Sequence, residues 1–146
     1  MNELFSKEAI FTAVGVIGAF IASLYGGWTS GMTTLVILMI IDYLTGLLVA
    51  AVFGKSKKTA DGKLESRAGW KGLVRKCVTL LMVLVATRLD MMIGTSFVRD
   101  ATVIGFSANE LLSIVESAGL MGVPMPAAIT NAVEVLQNRA EENNKE

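Results

Sequence analysis

The chain has 146 residues, enough for one domain, with 13 basic and 13 acidic residues and no formal net charge. It is 53% hydrophobic and 18% charged, against about 45–50% and about 25% in soluble domains. Without histidine and with Cys77 as the one cysteine, the chain excludes an intrachain disulfide and the usual His/Cys zinc site. It also lacks the commonest general base.

The apolar excess is concentrated in runs. No charged residue lies between Glu8 and Asp42, nor between Lys76 and Arg88. A membrane span needs roughly 20 mostly apolar residues. The segment before the first run holds Glu3, Lys7 and Glu8, so it is not a basic leader. The run is therefore expected to be a retained span, 9–25. As one helix, the whole charge-free stretch would be roughly 50 Å long, longer than a bilayer is thick. The glycines from Gly26 to Gly31 mark a turn instead. Tyr25 and Trp28 fall where interfacial aromatics are expected.

A second span is expected over 32–53, containing Asp42. A polar loop follows, 54–72, then a third span over 73–93 with Arg88 and Asp90 near its far end. The apolar stretch 101–120 contains Glu110 and Glu116. It reads as a fourth span or as a helix lying in the interface, with the span favoured because it hides Glu110 against other helices. Pro124 and Pro126 end that helix. Ile129, Ala132, Val133 and Leu136 then share one face of a short amphipathic helix. The expected fold is all-α: an integral membrane protein with three to four spans in residues 1–125. A cytoplasmic amphipathic helix and polar tail fill 126–146.

The stretch from Gly54 to Lys76 carries Lys55, Lys57, Lys58, Lys63, Arg67, Lys71, Arg75 and Lys76 against Asp61 and Glu65. The positive-inside rule puts it in the cytoplasm. Both termini follow it there if four helices cross. The charges flank spans and lack interleaved aromatics, so the sequence points to contact with membrane lipid and not to nucleic acid.

A carboxylate at the centre of a span costs about 2.5–3.5 kcal/mol on insertion scales. Asp42 must therefore be protonated, paired or facing water, and so must Glu110 if its helix crosses. Two readings stand side by side. In one, Arg88 pairs with Asp42 or Glu110 and fixes the packing; in the other, the acids face a lumen after assembly. Asp90 and Glu116 are further polar candidates. Gly15, Gly18, Ala19 and Ala22 offer a small-residue face on the first span, for self-association or for packing on the second. No cofactor site is expected. No nucleophile–base pair or phosphate loop is recognisable, so an enzyme is the remote reading.

Several local patterns together resemble one family. They are Asp42-Tyr43-Leu44-Thr45-Gly46, the loop Ser66-Arg67-Ala68-Gly69-Trp70-Lys71-Gly72, Arg75-Lys76, and Asp90. The longest runs from Ala108-Asn109-Glu110 through Glu116-Ser117-Ala118-Gly119 into Gly122-Val123-Pro124-Met125-Pro126. The set resembles the phage holins of the toxin-secretion/phage-lysis type, the TcdE-like holins, over about residues 32–137. Leu111 and Ser117 replace a glycine and an asparagine of the family pattern. The resemblance implies a self-associating protein of the cytoplasmic membrane. It opens a lesion at a set time and lets an endolysin, or a large toxin, leave the cell. Endolysin would be a functional partner without required contact. No methionine lies between Met1 and Met32, so any antiholin is expected to be a separate protein. Competing readings are a small four-helix multidrug-type transporter and a regulatory membrane subunit. The transporter would carry a glutamate inside the first span, where this chain has none.

Overall fold

The computed structural model describes the backbone of residues 2–145 and the side chains of residues 6–145; Met1 and Glu146 lie outside the described residues. Five helices account for nearly all of it, and no strand occurs among the described residues. They are α1 (Asn2–Leu24), α2 (Ser30–Leu48), α3 (Ser66–Ile93), α4 (Phe97–Leu120) and α5 (Ala127–Asn143). A π-helical turn, Val49–Phe53, prolongs α2. The expected spans all fall on helices. The difference lies in the loop: residues 66–72, expected to be loop, form the first turns of α3. That puts Lys76 inside a helix rather than at its start.

Glycine sets where the helices stop. Gly26 has φ +67°, and its N–H donates to the Ser23 carbonyl at 3.1 Å. The Gly27 N–H donates to the Ala22 carbonyl at 3.0 Å. This is a Schellman ending, which needs a left-handed residue just past the helix. Gly122 ends α4 the same way, with φ +77° and the Val123 N–H on the Ala118 carbonyl at 2.9 Å. The turn expected at Gly26–Gly31 is thus a real stop, while α4, expected to end at Pro124 and Pro126, already stops at Gly122.

α4 is the central helix and packs on α2, α3 and α5, while α2 and α3 barely touch each other. The core lies between α2, α3 and α4. It holds Met32, Leu35 and Met39 from α2, Val83 from α3, Val103 from α4, and Tyr25. Tyr25 is therefore a core residue and not the interfacial aromatic expected. Its hydroxyl donates to the Leu80 carbonyl at 2.9 Å, tying the α1–α2 turn to α3. Trp28, 47% exposed, meets Tyr25 edge-on at 6.1 Å.

Residues 6–21 of α1 are all exposed. A Cβ at Gly15 or Gly18 would meet nothing within 4 Å. The small-residue face, expected to self-associate or to pack on the second span, is thus unpartnered at Gly15, Gly18 and Ala19 in the single chain, with Ala22 half-buried. α5 folds back along α4. Its Gln137, Ala140 and Asn144 reach the groove lined by Thr102, Gly105 and Asn109 near the start of α4. Val133 is buried on that face and Leu136 is half-buried, whereas Ile129 and Ala132, expected to share it, are exposed.

The outer surface has two characters. Ile37, Ile40, Ile41, Leu44 and Leu48 are exposed on α2, and Val74, Val78, Leu81, Val85 and Leu89 on α3. On α1, Ile10, Phe11, Val14, Ile17 and Phe20 are exposed. Soluble monomers rarely show contiguous apolar area on this scale. Two helical segments, Ser6–Leu24 and Ser30–Phe53, are long and apolar enough to cross a membrane. On α5 one outward stripe is polar, formed by the exposed Asn131, Glu134, Asn138 and Glu142, with Ile129 and Val135 exposed beside it.

Candidate functional site

Three helices converge on one ion-paired group. The Lys76 Nζ of α3 donates to Asp42 Oδ2 of α2 at 2.7 Å and to Glu110 Oε2 of α4 at 2.6 Å. The three side chains are 14%, 9% and 14% exposed. Distances this short mark charge-assisted hydrogen bonds. Two carboxylates share one ammonium, so the group carries one formal negative charge when all three are ionised. Asp42 Oδ1 is buried and accepts no hydrogen bond among the described residues.

Arg88, the expected partner of these acids, is not in the group. It is exposed, and its guanidinium donates to the Met91 sulfur at 3.2 Å. The reason is helical rise. Twelve residues separate Lys76 from Arg88, roughly 18 Å along α3, beyond the reach of an arginine side chain. The cation that does the pairing, Lys76, is a member of the basic set read as a topology signal and a lipid contact, and was not expected to pair with these acids. Starting α3 at Ser66 gives Lys76 a defined phase, facing the seam between α2 and α4.

The group forms the floor of a cleft of about 440 Å³ between α2, the first turns of α3, the basic loop and α4. The separate sequence patterns meet here. Asp42, Tyr43 and Gly46 line the α2 wall, Gly69, Lys71, Gly72, Arg75 and Lys76 the α3 wall, and Asn109, Glu110 and Ser113 the α4 wall. A Cβ on Gly69 would lie 3.6 Å from the Tyr43 hydroxyl, and one on Gly72 3.7 Å from the ring. Both are ordinary van der Waals distances, so Tyr43 packs on this face of α3 and an alanine would fit at either glycine. The loop above is closed on itself. The Ser56 N–H donates to the Gly62 carbonyl at 2.9 Å, and the Thr59 hydroxyl to the Lys63 carbonyl at 2.9 Å. Gly62, with φ +73°, packs directly on the Gly54 carbonyl, where no side chain fits.

Asp90 has a different role. It is 4% exposed and accepts from the Thr95 hydroxyl at 2.6 Å, the Val98 N–H at 3.0 Å and the Arg99 N–H at 2.7 Å. It caps α4 from the preceding helix, satisfying two of the orphan amides at that end. Asp90→Ala should cost about 0.5–2 kcal/mol, the usual loss of a helix cap. A lowered thermal midpoint in detergent checks it, and an unchanged midpoint contradicts the capping role. Glu116 is exposed and forms no ion pair among the described residues. No group of histidine, cysteine or acidic residues fit to hold a metal occurs among those residues either.

Apolar outer faces and an ion-paired group held between helices define a helical protein suited to an apolar surround. The comparisons make this specific. A family model, that of the bacteriophage holin family, matches residues 19–138. A protein of Bacillus phage phi105 named "Probable holin" is 37% identical over 71% of this chain and 72% of its own. An uncharacterized protein of Halalkalibacterium halodurans is 34% identical over 86% and 91%. YqxH of Bacillus subtilis is 35% identical over 82% and 80%. No solved structure matches. The chain belongs to the bacteriophage holin family, whose members are pore-forming proteins of the cytoplasmic membrane and not enzymes. The match begins inside α1, so most of that helix stands outside the shared region.

Proposed function

We propose that this chain accumulates in the bacterial cytoplasmic membrane, self-associates, and opens a lesion through which an endolysin leaves the cell. The observation that carries this reading is the lateral division of the surface. α1, α2 and α3 turn apolar side chains outward, while α5 turns Asn131, Glu134, Asn138 and Glu142 outward. In this reading α1 to α4 cross the membrane, with the N-terminus and the basic loop in the cytoplasm. α4 carries the acidic Glu110 but packs on α2, α3 and α5. A charged side chain at the centre of a span costs about 2.5–3.5 kcal/mol, so lipid cannot surround α5 beside α4. A water-filled lumen can. Before assembly α5 stays in the cytoplasm with the C-terminus. In the assembled lesion it lies on α4, with its polar stripe to the water and the faces of α2 and α3 to lipid. The exposed Gly15, Gly18 and Ala19, with the half-buried Ala22, form a face of α1 that supplies close contact between copies.

Vesicles containing the purified protein test this reading. They are loaded with a small dye and with a protein-sized dextran. Above a threshold protein density both should escape together. Escape of the dye alone contradicts a lesion wide enough for an enzyme. Retention of both favours a regulatory subunit. The TcdE-like branch, with a large toxin as cargo, is a narrower form of the same proposal.

A further inference from the structure

The cleft above the Asp42–Lys76–Glu110 group has a basic rim that its own acids do not neutralise. Lys76 is engaged by the two floor carboxylates. Lys58, Lys71 and Arg75 also line the cleft, and none of them forms an ion pair among the described residues. Glu65 is the one carboxylate among the lining residues besides the floor pair. The rim therefore carries a net positive charge directed at an open space. The volume, about 440 Å³, lies within the range of small-ligand sites, roughly 300–1,000 Å³. Three convergent cations with room between them suit a phosphate group. The floor, with its formal negative charge, keeps such a group at the rim.

Two sources supply that chemistry, a lipid headgroup or a soluble phosphate. The surroundings favour the lipid. Leu64 lines the cleft and is 56% exposed, and Trp70 next to Lys71 is 66% exposed. The exposed apolar faces of α2 and α3 descend from the same rim. Basic pockets between helices on the cytoplasmic side are where anionic headgroups bind. We infer that this cleft holds the phosphodiester headgroup of an anionic phospholipid of the cytoplasmic leaflet, clamped by Lys58, Lys71 and Arg75. The inference rests on the membrane reading above, though not on lesion formation. A seated headgroup would bridge the basic loop to α3 directly above the ion-paired floor, making the packing of three helices sensitive to lipid composition.

Binding is measured on the full-length protein in lipid nanodiscs and vesicles, with phosphatidylglycerol, phosphatidylcholine and inorganic phosphate as probes. The wild type should prefer phosphatidylglycerol over phosphatidylcholine. The double substitution Lys71→Ser and Arg75→Ser should weaken that binding by roughly thirtyfold, from two surface cations. Lys71→Arg should keep it. Circular dichroism and the thermal midpoint without added lipid show whether each variant folds. If the double variant does not fold, Lys58→Ser, on the loop and outside the helices, carries the test with a smaller loss. Equal binding of the two lipids, or variants that bind as wild type, overturns the site. Displacement of the lipid by millimolar inorganic phosphate overturns the lipid assignment. Failure to enter vesicles overturns the membrane reading and the site with it, whereas insertion without lipid preference overturns the site alone.

Discussion

Lys76→Met should be the most damaging single substitution in this protein. It removes the one cation bonded to both Asp42 and Glu110 and leaves two largely buried carboxylates facing each other. Breaking a buried ion pair by deleting one partner costs about 3–5 kcal/mol, because a charge is left uncompensated. Here two are left, on two different helices, both held against α3. The thermal midpoint of the purified protein in detergent should fall steeply, and induced cells should fail to lyse or lyse at an altered time. The control is to neutralise all three positions: Lys76→Met with Asp42→Asn and Glu110→Gln. Replacing a whole buried ionic group by neutral residues is often neutral or stabilising. The triple variant should recover most of the midpoint. If Lys76→Met is as stable as wild type, the ion-paired group does not hold the three helices. If the triple variant stays as unstable as the single one, packing of the lysine stem matters more than its charge.

The second large effect concerns α5. Glu134, Asn138 and Glu142 lie four residues apart on one exposed stripe. Changing all three to leucine leaves the buried Val133 side untouched, so the helix should still form and still pack on α4. The protein should reach the membrane in normal amount. Lysis should be abolished or delayed severalfold, because an apolar stripe cannot face a water-filled lumen and prefers lipid. Single cysteines at Asn138, in a Cys77→Ser background, give the direct readout. A membrane-impermeant maleimide added outside the cell should label Asn138→Cys only after the lesion opens. Labelling that never occurs from outside, together with normal lysis by the leucine variant, would remove α5 from the lumen wall.

Much of the helical layout was legible because it rests on one-dimensional signals. Charge-free length and the Gly26–Gly31 turn marked out α1 and α2, whereas the stops at Gly94 and Gly122 were not read from the sequence. Prolines set the gap between α4 and α5. The importance of Asp42 and Glu110 was legible too, since an acid in an apolar run has to be explained. Their partner was not. Lys76 opens an apolar run, so it reads as a boundary residue, and Arg88 sits inside the run, so it reads as the buried cation. Only the phase of α3 from Ser66 onward, against α2 and α4, decides between them. Asp90 likewise reads as a membrane charge. Its role as a cap depends on the Gly94–Ser96 turn bringing Val98 and Arg99 back over it. The fold-back of α5 left no sequence trace beyond its amphipathic spacing, because both a free surface helix and a packed one show that pattern.

Whether this chain opens a lesion for an endolysin is decided most directly by one measurement. The chain is expressed from an inducible promoter in a bacterium, with and without a cytoplasmic endolysin that lacks its own export signal. Abrupt loss of viability in both strains, and lysis at a fixed time only where endolysin is present, is the predicted result. Continued growth with endolysin retained in the cytoplasm would contradict it.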